Sequence, residues 1–332
     1  MGDCGVVLPA GVPAPPADNT ATSWLVQDLD TGEVLAAKDP HGRHRPASLI
    51  KTLLALVVIK ELEPDRVVTV TAEDAAQECT CVGIVAGGRY TVEDLVRGLV
   101  MHSGNDVAHA LATELGGVPA ALREMNELAH ELGATDTRAA TPSGLDGPGM
   151  TSSAYDLSLI FNQAMKQEQF AEAVAMREMQ FPGWADKPAF PLYNDNKLLS
   201  TYPGFLGGKT GFTDDARHTY VGGAQRDGKR IAVVLMRAEQ RPVRVSEQAI
   251  QMLDYGFALA KAGPEPVGRI NFAESAVAPK DPAAPANAAE QPTAKQPAEP
   301  DGGFGATGTV VALAVAAVGL FAFVRFRRGK SA

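Results

Sequence analysis

A serine and a lysine three residues apart are the residues most capable of chemistry in this chain. Ser48 follows Pro46 and precedes a long apolar run, so it is predicted at or near a helix N-terminus. One helical turn places Lys51 on the same face as the Ser48 hydroxyl. A lysine kept neutral by burial can take a serine proton, and a helix N-terminus favours the resulting alkoxide. The pair therefore predicts a nucleophilic serine with a lysine base.

The same spacing also occurs without function. Ser48 would then be an ordinary helix N-cap and Lys51 a solvated side chain. Two further segments favour the catalytic interpretation. The first is Ser103-Gly104-Asn105, which lies between amphipathic stretches at residues 92–100 and 107–115. It is therefore predicted to be a short loop between two helices.

The second segment is Lys209-Thr210-Gly211. Alternating strand-like runs follow it at residues 218–224 and 230–236, joined by a turn at Asp227-Gly228. The segment is therefore predicted at or near the edge of an antiparallel sheet. Taken alone, the first segment would be a capped turn and the second an exposed lysine on a strand. Ser-x-x-Lys, Ser-x-Asn and Lys-Thr-Gly in this order match the motif set of serine β-lactamases and penicillin-binding proteins.

With these motifs the chain resembles the low-molecular-mass penicillin-binding proteins, the serine-type D-alanyl-D-alanine carboxypeptidases, and in particular their C-terminally anchored actinobacterial members. The resemblance covers residues 22–260. Beyond the three motifs, it includes segments at 141–147, 151–157 and 194–199. It implies a mixed α/β fold in which helices flank an antiparallel sheet, with an all-helical part alongside. The active site would lie in the cleft between the two parts.

The resemblance also implies a reaction. The substrate would be a peptidoglycan stem peptide ending in D-alanyl-D-alanine, and β-lactams would acylate Ser48 as covalent inhibitors. Ser48 would attack with Lys51 as base, and Ser103 would pass a proton to the departing amine. No cofactor is expected.

Substrate binding is assigned by the same resemblance. Residues expected to contact the substrate are Asn105, Lys209, Thr210, Gly211, Phe212 and Arg241. Backbone N–H groups of Ser48 and Phe212 would hold the oxyanion, and Lys209 and Thr210 the terminal carboxylate. Arg241 is the candidate for a further carboxylate-binding arginine, with Arg244 as the alternative.

Two other functions share part of this evidence. A serine β-lactamase needs an efficient deacylation base, in one class a glutamate in a Glu-x-x-x-Asn loop. The glutamates between Asp146 and Lys209 are Glu168, Glu172 and Glu178, and none has an asparagine at that spacing. A non-catalytic penicillin or peptidoglycan sensor would usually lack a motif residue, whereas all of them are present.

Composition restricts the partners. The 332 residues carry a formal charge of −9, which argues against nucleic acid as a partner. His41 and His44 lack a third ligand at a telling distance, so no metal site is predicted. Cys79-Thr80-Cys81 lacks the C-x-x-C spacing of redox and zinc sites. Residues two apart seldom bridge each other, and Cys4 is an alternative partner for either, so the pairing stays open.

The chain divides by composition. Residues 1–20 are predicted to be a flexible segment without a signal-peptide pattern, and we expect a leader upstream of the given start. Residues 21–264 would form the catalytic domain and residues 265–304 a Pro/Ala-rich disordered linker. Residues 305–324 are long and apolar enough for a transmembrane helix. The basic tail at 325–332 would lie in the cytoplasm, placing the catalytic domain outside the cell membrane.

A coarse secondary-structure prediction completes the picture. A β-hairpin is expected from residues 24–28 and 33–37. Helices are expected at residues 51–62, 119–133, 156–169 and 245–260, and a loop or short strand at 181–191. This order predicts an antiparallel sheet built from both ends of the domain, with helices inserted between.

Overall fold

The computed structural model describes residues 4–271, and all statements about the fold refer to them. The strands are β1 (Val6–Val7), β2 (Ser23–Asp28), β3 (Glu33–Lys38), β4 (Val67–Thr69), β5 (Arg89–Thr91), β6 (Glu178–Phe181), β7 (Phe190–Tyr193), β8 (Phe205–Thr213), β9 (Arg217–Arg226), β10 (Lys229–Ala238) and β11 (Gly268–Arg269). The helices are α1 (Lys51–Glu61), α2 (Ala72–Ala75), α3 (Val92–Met101), α4 (Asn105–Glu114), α5 (Val118–Leu132), α6 (Ala154–Ala164), α7 (Glu168–Ala175), α8 (Leu198–Thr201) and α9 (Val245–Ala262).

The main sheet is antiparallel and draws its strands from both ends of the described chain. Its order is β1-β3-β2-β10-β9-β8, and β11 also pairs with β3. The predicted hairpin forms from β2 and β3, and Asp28 Oδ1 accepts from the backbone N–H groups of Asp30 and Thr31 in the turn. Strand β8, which carries Lys-Thr-Gly, lies at the edge of the sheet, as the sequence predicts.

Two apolar cores lie on opposite faces of this sheet. Side chains alternate between the faces of a strand, and β10 shows this clearly. Ala232 and Val234 belong to the core shared with α1 and α6, whereas Ile231 and Val233 pack with α9. Helix α1 is apolar on all sides and is buried from Lys51 to Ile59, which is the pattern of a central core helix. The predicted mixed α/β architecture is confirmed.

One element differs from the prediction. The helix predicted at residues 156–169 is two helices, α6 and α7, because Gln167 is extended (φ −87°, ψ 117°) and caps the second. The apolar periodicity continues across this break, so the sequence pattern does not reveal it. The segment predicted as loop or short strand at 181–191 is the loop of a small hairpin, with its ends on β6 and β7, as predicted.

The ordered domain is longer at both ends than predicted. Strand β1 pairs with β3, and Tyr255 donates a hydrogen bond to the Pro13 carbonyl at 2.8 Å, so the segment before residue 21 packs on the domain. At the other end β11 joins the sheet and Ile270 is 1% exposed. The rest of the predicted linker, the predicted span at 305–324 and the basic tail lie outside the described residues. Within residues 4–271, no helix combines the length and the apolar character needed to cross a membrane.

Candidate active site

Ser48 lies in a short 3₁₀ turn, Ala47–Ile50, that leads directly into α1. A hydrogen bond from a neighbouring strand holds this turn in place, although its backbone is strained. Thr219 on β9 donates from its Oγ1 to the Pro46 carbonyl at 2.9 Å. Ala47 has a φ of 48°, a left-handed conformation that costs energy for a residue with a Cβ. The neighbouring strands therefore fix the backbone at the nucleophile, while Ser48 itself stays half-buried and lines a cavity.

Lys51 is fully buried and its amine has three oxygen neighbours. Its Nζ lies 3.0 Å from Ser48 Oγ, 2.7 Å from Asn105 Oδ1 and 2.6 Å from the Ser143 carbonyl oxygen. Asn105 Oδ1 and the carbonyl can only accept hydrogen bonds. A neutral amine has two N–H groups and one lone pair, so these oxygens hold the two N–H groups. The lone pair is then left for the Ser48 hydroxyl, which is the geometry that a general base requires.

Burial and a second lysine both disfavour the protonated form of this amine. Burial lowers the pKa of Lys51 well below its usual range, and the positive charge of Lys209 lowers it further. The carboxylates of Asp195 and Asp106 act in the opposite direction but do not outweigh burial. The pKa of Lys51 is therefore shifted in the direction that a lysine base requires.

The Ser-Gly-Asn segment turns the chain from α3 into α4. Ser103 is 5% exposed and has a φ of 63°, and Asn105 is the first residue of α4. A Cβ at Gly104 would lie 2.7 Å from Asp106 Oδ1, so only glycine fits this turn. Asn105 Nδ2 donates to the Glu78 carbonyl at 2.6 Å, which fixes the amide with its oxygen toward Lys51.

A loop at residues 78–84 forms one wall of the site and is attached to α4 by Asp106. This carboxylate is 1% exposed and accepts from the backbone N–H groups of Val82, Gly83 and Ile84 at 3.0, 2.7 and 3.2 Å. Asp106 is not among the site residues predicted from the sequence. Its position beside the Ser-Gly-Asn motif is the only signal that points to it.

The same loop contains the cysteine pair whose bonding the sequence leaves open. Cys79 and Cys81 form a disulfide with each other, and Cys4 is a free, exposed thiol. Cysteines two apart seldom bridge, but the Cα atoms of this pair lie 4.7 Å apart, a normal separation for a disulfide.

The Lys-Thr-Gly strand β8 forms the opposite wall. Lys209 is fully buried, and its Nζ donates to the Thr210 carbonyl at 2.9 Å. Burial lowers the pKa of Lys209, and Asp195 partly offsets this. Thr210 donates from Oγ1 to Asp195 Oδ2 at 3.1 Å, while Phe212 is half-exposed and lines the cavity.

Gly211 allows this strand to approach the nucleophile. A Cβ at Gly211 would lie 2.4 Å from Thr219 Oγ1 and 3.0 Å from the Ser48 amide nitrogen. The main chain of β8 therefore runs beside the Ser48 nitrogen, and Phe212, the next residue of this strand, lines the same cavity as Ser48. This is the juxtaposition expected of an oxyanion hole formed by two backbone N–H groups.

The Ser143-Gly144 turn closes the site behind Lys51. Ser143 supplies the carbonyl that accepts from Lys51, and Gly144 has a φ of 88°. A Cβ on Gly144 would lie 2.1 Å from the Ala47 carbonyl oxygen. The sequence resemblance included this segment but assigned it no role, whereas the structure shows that it both supports the nucleophile turn and binds the base.

These walls enclose a cavity of about 470 Å³. The residues that line it are Ser48, Glu78, Cys79, Thr80, Asn105, Ser143, Gly144, Leu145, Asp146, Phe212, Thr213 and Asp214. The structure thus joins the predicted serine, asparagine and Lys-Thr-Gly strand at one cleft. The glutamates considered for a β-lactamase lie outside this lining, namely Glu168, Glu172 and Glu178.

A smaller cavity of about 170 Å³ lies along the same strand. Among the described residues its lining includes Thr210, Gly211 and Arg244, and it does not include Arg241. Arg244 precedes α9 as its N-cap, whereas Arg241 lies in the preceding loop. The geometry therefore favours the alternative arginine over the predicted one.

The histidines considered for a metal site are not arranged as a pair. The atoms within reach of one ion are those of His41, Asp136 and Asp156. Asp136 is already engaged, since it accepts from His41 Nδ1 at 2.9 Å and from Arg43 Nε at 3.0 Å. His44 instead forms backbone hydrogen bonds with Ser152. We assign this cluster a structural role, because it links the loop that precedes Ser48 to α6.

Together, the fold and the site define an active-site serine hydrolase with a buried lysine beside the serine. The sequence profile described as D-alanyl-D-alanine carboxypeptidase matches residues 10–240. The chain therefore belongs to the D-alanyl-D-alanine carboxypeptidase family of serine peptidases, and the resemblance predicted from its motifs is confirmed.

Individual relatives agree with this assignment. D-alanyl-D-alanine carboxypeptidase DacB2 of Mycobacterium tuberculosis is 45% identical over 258 residues, which cover 76% of this chain and 87% of that protein. DacF of Bacillus subtilis is 30% identical over 250 residues, which cover 74% of this chain and 64% of that one.

Solved structures are similar as well. The crystal structure of a D-alanyl-D-alanine carboxypeptidase from M. tuberculosis has a TM-score of 0.73 at 44% identity, covering 76% of this chain and 96% of that one. The Streptomyces K15 DD-transpeptidase has a TM-score of 0.70 at 27% identity, covering 74% of this chain and all of that one.

Proposed function

We propose that this protein removes the terminal D-alanine from peptidoglycan stem pentapeptides through an acyl-enzyme on Ser48. The observation that carries the proposal is the fully buried amine of Lys51, 3.0 Å from Ser48 Oγ, with both of its other neighbours restricted to accepting hydrogen bonds. This geometry supports proton transfer from Ser48 to Lys51 as the hydroxyl attacks.

The reaction proceeds in two stages. Ser48 Oγ attacks the carbonyl between the two D-alanines, and its proton passes to Lys51. The oxyanion is held by the backbone N–H groups of Ser48 and Phe212, a role supported by the approach of β8 to the Ser48 nitrogen. The C–N bond then breaks, Ser103 relays a proton to the departing amine of D-alanine, and water hydrolyses the ester.

The terminal carboxylate of the substrate is bound at the Lys-Thr-Gly strand. Lys209 supplies positive charge from a fully buried position on the strand, and Thr210 lines the cavity that Arg244 also lines. Arg244 takes the role first assigned to Arg241, because guanidinium groups suit planar carboxylates. Asn105 lies at the other side of the cleft, where its amide meets the peptide on the acyl side.

Penicillins acylate the same serine in this proposal. They resemble the D-alanyl-D-alanine end of the peptide, and their ring carbonyl meets the same nucleophile and oxyanion hole. The family assignment and the open cavity beside Ser48 support this expectation. A β-lactamase would hydrolyse the resulting ester rapidly, whereas we expect a long-lived acyl-enzyme.

We also propose that residues 305–324 anchor the chain in the cell membrane, with the catalytic domain outside. The support is in the sequence: the span is apolar apart from Thr307 and Thr309, and Arg325, Arg327, Arg328 and Lys330 follow it. Membrane fractionation of the full chain beside a chain ending at Asn271 tests this. The full chain should resist extraction at alkaline pH and the shorter one should not.

D-alanine release from a stem pentapeptide tests the reaction. The full chain should release D-alanine, and Ser48→Ala should neither release it nor bind a fluorescent penicillin covalently. Stable labelling by penicillin without D-alanine release would favour a sensor. Rapid penicillin hydrolysis without D-alanine release would favour a β-lactamase, and either result would overturn the proposal.

A further inference from the structure

The disulfide between Cys79 and Cys81 lies in the wall of the active-site cavity. Cys79 is exposed and lines the cavity together with its neighbours Glu78 and Thr80, while Cys81 is half-buried. Neither sulfur has a part in the acyl-transfer steps described above. The question is therefore what a covalent bond does at this position.

The crosslinked loop binds Asn105 through its backbone. The Thr80 carbonyl accepts from the Asn105 backbone N–H at 2.7 Å, and the Glu78 carbonyl accepts from Asn105 Nδ2 at 2.6 Å. Thr80 is the single residue enclosed by the disulfide, and Glu78 immediately precedes it. The crosslink thus fixes the stretch of backbone whose two carbonyls orient both ends of Asn105.

Asn105 in turn orients the base. Its Oδ1 accepts from Lys51 Nζ at 2.7 Å, and Nδ2 must stay on Glu78 for the amide oxygen to point at Lys51. Rotation of this amide would place N–H donors against the Lys51 amine. The lone pair of that amine would then lose its defined direction toward Ser48.

The loop is anchored on both sides of the crosslink. Before it, Asp74 on α2 bonds to His109 Nδ1 at 2.6 Å and to Thr113 Oγ1 at 2.8 Å, both on α4. After it, Asp106 holds the three backbone N–H groups of residues 82–84. The disulfide lies between these anchors, in the part of the loop where exposed side chains predominate.

Global stability does not explain the bond. A disulfide stabilises a fold by restricting the unfolded chain, and the effect is smallest for the shortest loops. This one encloses a single residue. Its local effect on the backbone at Thr80 is therefore larger than its effect on the unfolding equilibrium.

We propose that the Cys79–Cys81 disulfide is a positioning element of the catalytic site, and that its reduction by a dithiol slows acylation of Ser48 by loosening Asn105. The inference rests on the proposed function, because it concerns the rate of that reaction. Cys79 and Cys81 act through Asn105 and Lys51 and do not touch the reacting atoms.

The modification is ordinary thiol–disulfide exchange with a dithiol as the reductant. A thiolate of the dithiol attacks the exposed sulfur of Cys79, which breaks the Cys79–Cys81 bond and releases the Cys81 thiolate. The second thiol of the reagent then attacks the mixed disulfide. Cys79 and Cys81 each end with a proton, the dithiol becomes a cyclic disulfide, and two electrons pass to the protein.

The experiment compares the oxidised and the dithiothreitol-reduced full chain. Both carry Cys4→Ser, so that Cys79 and Cys81 are the only cysteines that can change redox state. Mass spectrometry after alkylation verifies each redox state. The readouts are the second-order rate of penicillin acylation and kcat/KM for D-alanine release. Reduction should lower both by roughly tenfold to a hundredfold, the size expected for a displaced catalytic group, and reoxidation should restore them.

Two controls separate positioning from a general structural role. In Asn105→Ala, reduction of the disulfide should cause no further loss of penicillin acylation or of kcat/KM, because the side chain that the loop positions is absent. The thermal midpoint of the oxidised and reduced proteins should differ little. The variant carrying Cys79→Ser and Cys81→Ser together should match the reduced protein, which covers the case of a disulfide that resists the reagent.

Several outcomes would overturn the inference. Equal rates in the two redox states would do so, as would full activity in purified protein whose loop cysteines are both free thiols. An equal loss on reduction in Asn105→Ala would show that the loop does not act through Asn105. If the oxidised protein neither accepts penicillin nor releases D-alanine, the proposed function fails first, and that result is distinguishable from the others.

Discussion

Lys51 Nζ and Asn105 Oδ1 lie 2.7 Å apart, although the two residues are 54 positions apart in the sequence. This contact joins the first two motifs of the chain into one unit. Asn105 accepts an N–H of the lysine and so leaves the amine lone pair toward Ser48. In the proposed reaction the asparagine therefore positions the base, in addition to the substrate contact predicted from the sequence.

Lys51→Arg should abolish the base while keeping a long cationic side chain. Arginine does not lose its proton in proteins, so it cannot accept one from Ser48. Penicillin acylation should fall by at least about a hundredfold, the lower end of the contribution of general bases. Lys60→Arg is the matched control, since Lys60 lies near the other end of α1 with its side chain 41% exposed, and it should acylate at the parent rate. A parent-like rate in Lys51→Arg would exclude Lys51 as the base.

The pH dependence of acylation should report the protonation of Lys51. Burial and the Lys209 charge lower the pKa of this amine, and only the neutral form is a base. Activity should therefore be full above the lowered pKa and be lost as the pH falls through it. The plateau should be reached well below the ordinary lysine range.

Lys209→Met tests the cause of that shift. Removal of the neighbouring positive charge should raise the pKa of Lys51, because the protonated form is no longer repelled. The acid limb of penicillin acylation should then move to higher pH, whatever the loss in maximal rate. If the acid limb of the pH profile moves to lower pH in Lys209→Met, or disappears, the group that titrates in this limb is Lys209 and not Lys51.

Much of this site could be predicted because its chemistry is carried by short motifs. The Ser48 and Lys51 spacing depends on one helical turn, and the strand alternation after Lys209 fixes its place at a sheet edge. The relation of Ser103 and Asn105 to two helices follows from amphipathic periodicity. Each of these features is local in sequence, so it is visible without a structure.

The features that sequence reasoning missed depend on long-range contacts. The buried carboxylate of Asp106 binds backbone N–H groups, which leave no mark in side-chain patterns. Asp106 binds the loop directly after the Cys79–Cys81 disulfide, and spacing alone left the pairing of these cysteines open. Arg244, the alternative to Arg241, borders the cavity that Thr210 lines because it lies at the entry into α9, a position that composition does not reveal.

Arg244→Ala and Arg241→Ala should separate the two candidates for carboxylate binding. Arg244 shares a cavity with Thr210, so its loss should raise KM for the stem pentapeptide about tenfold or more, the cost of a charged hydrogen bond. Arg241→Ala should leave KM close to the parent value. The reverse pattern in steady-state kinetics would restore the assignment made from the sequence.

Asp106→Asn should destabilise the fold and loosen the active-site loop. The carboxylate accepts from three backbone N–H groups, and the amide of asparagine would turn a donor toward one of them. Urea unfolding should show a loss of about 2 to 3 kcal/mol, and acylation should slow because the loop carries the carbonyls that hold Asn105. The exposed Asp65→Asn is the control and should unfold like the parent. An unchanged midpoint in Asp106→Asn would show that these hydrogen bonds contribute little.

Gly144→Ala should be far more damaging than Gly133→Ala, although both glycines have nearly the same left-handed backbone, with φ of 88° and 86°. A Cβ at Gly133 meets no atom within 4 Å, so alanine there should cost only the backbone strain of about 1 to 2 kcal/mol. At Gly144 the Cβ would lie 2.1 Å from the Ala47 carbonyl oxygen and 2.9 Å from the Ser48 nitrogen, so the nucleophile turn must move. We expect a loss of about 2 to 5 kcal/mol in urea unfolding and a large drop in penicillin acylation. Equal effects of the two substitutions in both measurements would mean that the turn at Gly144 does not support Ser48.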